Sequence, residues 1–251
     1  MKIVIIPDIH HKVKIVERIL YKEAPDKVIF LGDWFDDFGD TIEHAQETAR
    51  WLARRMDRHP EDTFLWGNHD THYGLPCRET RCSGYSEDKK IAIQDILSIQ
   101  HWDRFDFLHF EDNWLFTHAG LTAPQIAGAP KDDLKGWLEN QEVQAQMKLR
   151  QGRPHWMFQA GMSRGGRAPF GGVNWCDVSE FIPIDNLNQV FGHTPQRQPW
   201  KYDTKRRNKT TVNSENYCID THLWYYGVMV DGKFSIGERP IEDSHQTVRH
   251  D

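Results

Sequence analysis

The sequence predicts an α/β fold whose first strands are parallel, and three observations support this prediction. Lys2–Ile6 is a short, β-branched apolar run of the kind that forms buried strands. Residues 13–24 place apolar side chains at helical spacing, and residues 27–31 form a second apolar run. A strand, a helix and a strand joined by short connections form a βαβ unit, so the two strands are expected to be parallel neighbours.

The composition narrows the class of protein. A chain of 251 residues is long enough for one domain or a compact pair with a sizeable core. The formal net charge of -6 argues against a generic surface for binding polyanions. No apolar run approaches the roughly 20 residues that cross a bilayer, and the N-terminal run is too short for a signal peptide. The four cysteines suit a reducing compartment, so a cytoplasmic protein without a membrane partner is expected.

Further elements follow along the chain. Thr41 is expected to cap a long amphipathic helix that ends at His59 and Pro60, and residues 63–66 form a third strand. The remaining predictions, in order, are a loop at 71–86, a helix at 88–99, a hairpin of 105–110 with Trp114–Thr117, a helix at 131–150, a glycine-rich segment at 161–172, a strand at 189–191, and antiparallel β-structure at 200–203, 210–213 and 217–230.

Polar residues follow the apolar runs at five places in the chain. They are Asp8 and His10, then Asp33 and Asp36, then Asn68, His69 and Asp70, then His118, and finally His193. Ligands gather beyond the carboxyl ends of parallel strands, which is where the first clusters are expected. A helix cap or a turn is the alternative interpretation of each aspartate, and a structural hydrogen bond that of each histidine. Five such clusters favour a metal site, and oxygen and imidazole ligands suit manganese, iron, zinc or nickel.

The order D-x-H, G-D-x-x-D, G-N-H-D, H-A-G, G-H-T resembles that of the calcineurin-like metallophosphoesterase superfamily, and it extends from Asp8 to His193. The resemblance implies a four-layer αββα sandwich, in which two mixed β-sheets are flanked by helices and a two-metal site lies at the sheet edge. We expect one metallophosphoesterase domain at 1–240, and the residues at 241–251 are themselves typical of a flexible C-terminal tail.

The resemblance implies a role for each motif residue. The implied ligands of two divalent ions are Asp8 and His10 for the first ion, Asp33 as the bridging carboxylate, and Asn68, His118 and His193 for the second ion. Some family members place another histidine two residues after that of G-H, where this chain has Pro195. The first ion is therefore expected to keep three protein ligands and water. Manganese is the expected metal, with iron, zinc, nickel or magnesium as alternatives.

The chemistry of phosphate ester hydrolysis explains these residue types. Two cations clamp a phosphoryl oxygen and acidify a bridging water, which attacks in line. His69 matches the family's general acid, which protonates the leaving oxygen, and Asp36 matches the carboxylate that orients it. An outer-sphere phosphate contact without proton transfer is the alternative role for His69. For Asp70, a capping or supporting role is the preferred interpretation.

The downstream half resembles the Ser/Thr phosphoprotein phosphatases at two places. Arg164 matches a phosphate-binding arginine and Tyr217 a tyrosine beside the phosphate, so these two and Asn68 are the expected substrate-binding residues. A solvated loop arginine and a buried strand tyrosine are the alternatives. One departure is Asp37, which stands where those phosphatases carry an arginine, so one phosphate clamp is absent. The G-H-T-P form also occurs in symmetrical dinucleoside tetraphosphatases, so it does not select a branch.

These features predict a metal-dependent phosphoesterase that hydrolyses phosphomonoesters of a phosphoprotein or of a small metabolite or nucleotide. A nucleotide phosphodiesterase or pyrophosphohydrolase of the dinucleoside polyphosphate type is the alternative, and a non-catalytic scaffold is disfavoured because no ligand is missing. The basic run at 205–209 is interpreted as a solvated hairpin tip rather than a nucleic-acid contact. Cys77 and Cys82 are interpreted as unpaired thiols. Trp34 and Phe35 either line the pocket or pack.

Overall fold

The computed structural model describes residues 1–130, 132–202 and 212–241. Within these ranges it contains eleven strands and six α-helices. The strands are β1 (Lys2–Ile6), β2 (Lys27–Phe30), β3 (Thr63–Leu65), β4 (Phe105–Asp106), β5 (Leu108–Glu111), β6 (Trp114–Thr117), β7 (Asn188–Phe191), β8 (Trp200–Lys201), β9 (Asn216–Cys218), β10 (Tyr225–Val230) and β11 (Lys233–Glu238). The helices are α1 (Val13–Glu23), α2 (Ile42–Arg58), α3 (Thr71–Gly74), α4 (Glu87–Gln94), α5 (Ile99–Trp102) and α6 (Leu134–Arg150).

Two mixed sheets form the centre of the molecule. The six-stranded sheet has the order β11-β10-β1-β2-β3-β4, and the five-stranded sheet has the order β5-β6-β7-β9-β8. In the first sheet β1 to β4 are parallel, and β10 and β11 extend it in the antiparallel sense. In the second sheet β6, β7 and β9 are parallel, with antiparallel strands at both edges. The predicted βαβ unit of β1, α1 and β2 is confirmed, with Ile5 opposite Ile29.

Alternation along the strands explains why the sheets stack. Ile3 and Ile5 belong to the apolar cluster that includes Phe116 and Val190 of the second sheet. Their neighbours Val4 and Ile6 point to the opposite face, because successive side chains of a strand alternate. These belong to the cluster that contains buried residues of both long N-terminal helices: Val16, Ile19, Ala45, Ala49 and Leu52.

Helix α6 supplies the layer on the other side of the second sheet. Its buried residues Leu138, Ala145 and Leu149 share an apolar cluster with Leu115, whose neighbour Phe116 faces the first sheet. The layers are therefore helices, sheet, sheet and helix, which confirms the expected αββα sandwich. In the described part of the chain, no helix has both the length and the apolar character of a bilayer span.

The predicted hairpin strand at 105–110 is wrong in one respect. The structure divides it into β4, which pairs in parallel with β3, and β5, which pairs with β6 in the other sheet. Glu142 of α6 allows this break, because its carboxylate accepts the backbone N–H groups of Phe107 and Leu108. Those two donors therefore need no strand partner at the point where the chain changes sheets.

Other boundaries also differ from the predictions. The predicted helix at 88–99 ends at Gln94, and Ser98 precedes a separate short helix, α5. The predicted loop at 71–86 contains α3 and a 3₁₀ turn. In the predicted antiparallel region, β9 is parallel to β7. Residues 212 and 213 of the strand predicted at 210–213 are not in a strand, and residues 210 and 211 lie outside the described residues. Residue 131, the basic run 205–209 and the tail from 242 also lie outside them.

The stability of the break between β4 and β5 is expected to depend on pH. Burial, and then the nearby Asp106, raise the pKa of Glu142 from 4.5 to about 8. The protonated carboxyl therefore contributes stability that is fully present below pH 4.5 and is lost as the pH rises through about 8. Glu142→Gln keeps an oxygen acceptor but cannot ionise, so it should remove this part of the decline.

The measurement is the free energy of unfolding in denaturant between pH 5 and 9. We expect the wild type to lose at least about 1 kcal/mol more than Glu142→Gln over this range. Glu139→Gln, on an exposed position of the same helix, is the matched control; the charge of Glu139 is the smallest of the named influences on the pKa of Glu142, so this variant should keep most of the wild-type decline. Equal pH slopes for Glu142→Gln and the wild type would contradict the role assigned to Glu142.

Candidate metal centre

The carboxylate of Asp33 belongs to two groups of candidate ligands. One group joins it to Asp8 and His10, and the other joins it to His118 and His193. Within each group the ligand atoms lie within 4.8 Å of one another. Asp33 follows β2 and the first group follows β1, whereas His118 and His193 follow β6 and β7 of the second sheet. The site is therefore built where the carboxyl ends of parallel strands from both sheets converge.

The loop that carries Asp33 has a tightly determined conformation. Asp33 has a φ of 52°, in the left-handed region that non-glycine residues rarely adopt. The carboxylate of Asp70 accepts the backbone N–H groups of Asp33, Trp34 and Gly67 at 2.7, 2.8 and 3.0 Å. The carbonyl oxygen of Asp33 accepts the backbone N–H of His10 at 2.8 Å. These bonds hold the strained turn and make Asp70 a supporting carboxylate of this loop.

At two motif positions the backbone lies so close to a candidate ligand that only glycine, which has no side chain, fits there. A Cβ atom on Gly67 would lie 2.2 Å from Oδ1 of Asp33, and one on Gly192 would lie 2.1 Å from Oδ2 of Asp8. Both distances are far below contact distance. The backbone of Gly192 also brings the N–H of His193 to Asp8, to which it donates at 2.9 Å.

Hydrogen bonds to carbonyl groups set the tautomers of two imidazoles. A carbonyl oxygen only accepts, so Nδ1 of His118 donates to Leu31 at 2.9 Å, and Nδ1 of His10 donates to the backbone of Asp36 at 2.5 Å. In this tautomer it is Nε2 that offers a lone pair to a ligand. For His118 that lone pair faces Oδ1 of Asn68 at 2.9 Å and Oδ1 of Asp33 at 3.5 Å. Nε2 of His118 and the two oxygens therefore face one another with lone pairs and no proton between them. A bound cation would replace this repulsion with three attractive contacts.

Protonation in this region is consistent with metal binding. Burial, and then the neighbouring His118, hold the pKa of His193 well below its ordinary value, so the ring is neutral. Burial also lowers the pKa of His118. Burial, and then the negative charges of Asp220 and Asp33, raise the pKa of Asp8 well above its usual range. Neutral imidazoles and crowded carboxylates are the donors that divalent ions bind, so the residues fit two such ions.

His69 and Asp36 lie beside this group and contact each other. Nδ1 of His69 donates to Oδ2 of Asp36 at 3.2 Å, and Nε2 of His69 lies 3.5 Å from Sγ of Cys82. Burial opposes protonation, but Asp33 and the bond to Asp36 raise the pKa of His69 to about 12. Burial likewise opposes ionisation of Asp36, but bonds from His69, Lys89 and Tyr73 hold its pKa below the ordinary value. The pair is therefore a cationic imidazole held by a carboxylate.

The predicted substrate-binding residues lie in different places. Nη2 of Arg164 donates to Oγ1 of Thr194 at 3.0 Å, which places its guanidinium next to His193. Asn68 lies within the ligand group. Tyr217 is not brought to this group, because its ring packs against Trp114 and Phe234 between the sheets and its hydroxyl donates to Glu215.

Three other expectations concern neighbours of the site. The acidic group of Asp37 does not stand alone, since Nζ of Lys12 donates to it at 2.8 Å. Trp34 and Phe35 are fully buried and belong to the apolar cluster on the helical face of the first sheet, so they pack. All four cysteines are free thiols.

Two functional candidates were missed by sequence reasoning. Asp220 follows β9 and is buried, and it is one of the charges that raise the pKa of Asp8. Its signal, an apolar strand end followed by a polar residue, is present but hidden, because residues 217–230 read as continuous β-structure. Lys89 of α4 reaches Asp36, and its one signal in the sequence, a cation in the first turn of a helix, is too weak to distinguish it from a surface lysine.

The comparisons with known proteins concern the family and the fold of the chain. A family model described as calcineurin-like phosphoesterase matches residues 1–197. No curated protein matches the chain. A cold-active protein-tyrosine phosphatase of a psychrophilic Shewanella sp. has a similar fold, with a TM-score of 0.60 and 12% identity over 94% of this chain and 77% of that one.

Two further solved structures are similar. A cold-active protein tyrosine phosphatase has a TM-score of 0.56 and 14% identity over 94% of this chain and 78% of that one. A metallophosphoesterase from Sphaerobacter thermophilus has a TM-score of 0.45 and 12% identity over 96% and 88% of the two chains. At these identities the phosphatase similarities concern the fold alone.

Removal of the shared charge by Asp33→Asn should weaken metal binding at both positions, because the carboxylate belongs to both ligand groups. Isothermal titration with Mn²⁺ should give about two ions per wild-type chain and a loss of at least about 100-fold in affinity for both ions in the variant. Asp37→Asn, in a half-exposed pair with Lys12, is the control and should bind like the wild type. If Asp33→Asn retains both ions at wild-type affinity, the shared position of Asp33 is wrong.

Proposed function

The chain belongs to the calcineurin-like phosphoesterase family of metal-dependent hydrolases, and we propose that it hydrolyses phosphomonoesters at a dinuclear site centred on Asp33. The observation that carries this proposal is the place of one buried carboxylate in two groups of oxygen and imidazole donors. The substrate we propose is a phosphoprotein or a small phosphorylated metabolite or nucleotide.

The proposed ligands are Asp8, His10 and Asp33 for one ion, and Asp33, Asn68, His118 and His193 for the other. When bound, two divalent ions supply Lewis acidity to a phosphoryl oxygen and an activated water. We propose manganese as the metal, since the donors are oxygen and imidazole with no thiolate among the ligands. The free thiols support the proposal that the protein is cytoplasmic.

The side chains around the proposed ions orient the substrate and move a proton. Arg164 lies beside His193, and its guanidinium suits a contact with the non-bridging phosphoryl oxygens. The cationic ring of His69 donates Nδ1–H to Asp36, and its Nε2–H, which lies beside the thiol of Cys82, is the proton that the leaving oxygen would receive. Asp36 keeps the ring in this orientation during the transfer. Because its contacts lie elsewhere, Tyr217 has no part in this proposal.

Charge balance favours a monoester over a polyphosphate. Three basic side chains beside the site are each already paired with a carboxylate: Lys12 with Asp37 at 2.8 Å, Lys89 with Asp36 at 2.6 Å, and Arg164 with Asp177 at 2.9 Å. A dinucleoside polyphosphate carries several more negative charges than a monoester and needs cations to neutralise them. Among the described residues, Lys12 and Lys89 are committed to these pairs, and Asp177 offsets the charge of Arg164, the guanidinium proposed to contact the phosphoryl group.

The extent of the domain is also a proposal. The family model ends at residue 197, but β9 and β10 after that point lie inside the two sheets. Both sheets would lose a strand next to a motif-bearing strand without them: β9 pairs with β7, and β10 pairs with β1. We therefore propose that residues 1–240 form a single domain.

The proposed activity is tested with a panel of substrates at saturating Mn²⁺. The panel holds 4-nitrophenyl phosphate, bis(4-nitrophenyl) phosphate, a phosphotyrosine peptide and a dinucleoside tetraphosphate. We expect kcat/KM for the two monoesters to exceed that for the tetraphosphate by at least about tenfold, because the basic side chains near the site are already paired. The same margin is expected over the diester, because the proposed contacts of Arg164 and the ions are to non-bridging oxygens, of which a diester has one fewer than a monoester. Higher kcat/KM for the tetraphosphate or the diester would overturn the substrate assignment, and inactivity on all four would overturn the proposed activity.

A further inference from the structure

Lys89 is a buried lysine whose place in its helix conflicts with local preferences. It lies in the first turn of α4, three residues after the capping Ser86, whose side chain accepts its backbone N–H at 3.2 Å. A cation in the first turn opposes the helix dipole, which favours acidic side chains there. Lys89 is only 5% exposed, so its ammonium group is also largely removed from water. Both features cost stability unless specific partners compensate.

The partners of Lys89 are two carboxylates at the edge of the site. Nζ donates to Oδ1 of Asp36 at 2.6 Å and to Oδ2 of Asp40 at 2.9 Å. The hydroxyl of Tyr73 donates to the same Oδ1 of Asp36 at 2.6 Å. The other oxygen, Oδ2, accepts Nδ1–H of His69. One carboxylate oxygen is thus held by two donors from the segment after β3, and the second is left for the imidazole.

The backbone of the same segment also lies against Asp36. Gly84 has a φ of 89°, and a Cβ atom there would lie 2.8 Å from Cβ of Asp36. The carboxylate of Asp36 is therefore enclosed by this segment on one side and fixed at Oδ1 by Lys89 and Tyr73. Rotation of the carboxylate would break two short hydrogen bonds and unpair a buried ammonium group, which is costly.

We propose that Lys89 is a positioning residue for proton transfer, which fixes Asp36 so that Oδ2 holds the ring of His69 toward the leaving oxygen. This inference rests on the proposed function, because it assigns the leaving-group proton to His69. Lys89 itself does not reach the substrate in this account. Its loss is expected to act on the step that needs an oriented proton donor and to spare substrates whose leaving group needs no proton.

The test compares kcat for two monoesters at saturating Mn²⁺. One is 4-nitrophenyl phosphate, whose leaving group departs unprotonated, and the other is an alkyl ester, glycerol 2-phosphate. We expect Lys89→Met to lower kcat at least about tenfold on the alkyl ester and less than about threefold on the aryl ester. Lys89→Arg should restore most of the loss, because a guanidinium can still donate to Asp36. His69→Asn is the reference for the same selective loss.

Two controls separate positioning from a merely structural role. Asp40→Asn weakens the other anchor of Lys89 but keeps its bond to Asp36, and Lys90→Met removes the neighbouring lysine, which pairs with Glu87. Both should give the same ratio of alkyl to aryl kcat as the wild type. Equal losses of Lys89→Met on both esters, or the Lys89→Met pattern in Asp40→Asn, would overturn the proposal.

A further variant and a spectroscopic measurement cover the remaining outcomes. If Lys89→Met does not fold, Tyr73→Phe removes the other donor to Oδ1 and should show the same selective loss to a smaller degree. An unchanged ratio in Tyr73→Phe would then overturn the proposal.

In ¹⁵N-labelled protein without added metal, the Nδ1–H resonance of His69 should move in Lys89→Met and stay in Lys90→Met. An unmoved resonance contradicts positioning even if the wild type proves inactive on every ester, which would separately overturn the proposed function.

Discussion

The position of one carboxylate constrains most of the structure around the site. Asp33 is buried among four imidazoles that hold its pKa below the ordinary value although burial opposes this. The backbone of Asp33 adopts the left-handed conformation, and the carboxylate of Asp70 accepts the N–H groups of Asp33 and Trp34. The close approach of the backbone of Gly67 to Oδ1 of Asp33 is a further consequence. These costs are understandable if Asp33 must face ligands from both sheets at once.

The segment between β3 and β4 connects two strands and also contributes side chains to the surroundings of the candidate site. It brings Tyr73, Cys82 and Lys89 to the pair of His69 and Asp36. The strand ends thus supply the candidate metal ligands, whereas this helical segment supplies the surroundings of the proposed proton donor, His69. Because the two sets of residues come from different elements, a substitution in the helical segment can alter the surroundings of His69 without altering the candidate metal ligands.

The parts of the fold that follow local rules were predictable from the sequence. Apolar runs followed by polar residues located β1, β2, β3, β6 and β7, and the helical spacing located α1 and α2. The break between β4 and β5 was not predictable, because it depends on Glu142, a residue 34 positions away from Leu108. Lys89 was missed for the same reason, since its partners lie 49 and 53 positions away. Tyr217 was assigned by resemblance, and its strand position directs it elsewhere.

The central claim is that two ions share the carboxylate of Asp33, and anomalous scattering from a Mn²⁺-soaked crystal tests it most directly. Our account predicts two anomalous peaks on opposite sides of this carboxylate, one contacting Asp8 and His10 and the other contacting His118 and His193. A single peak, or two peaks of which one does not contact Asp33, would contradict it.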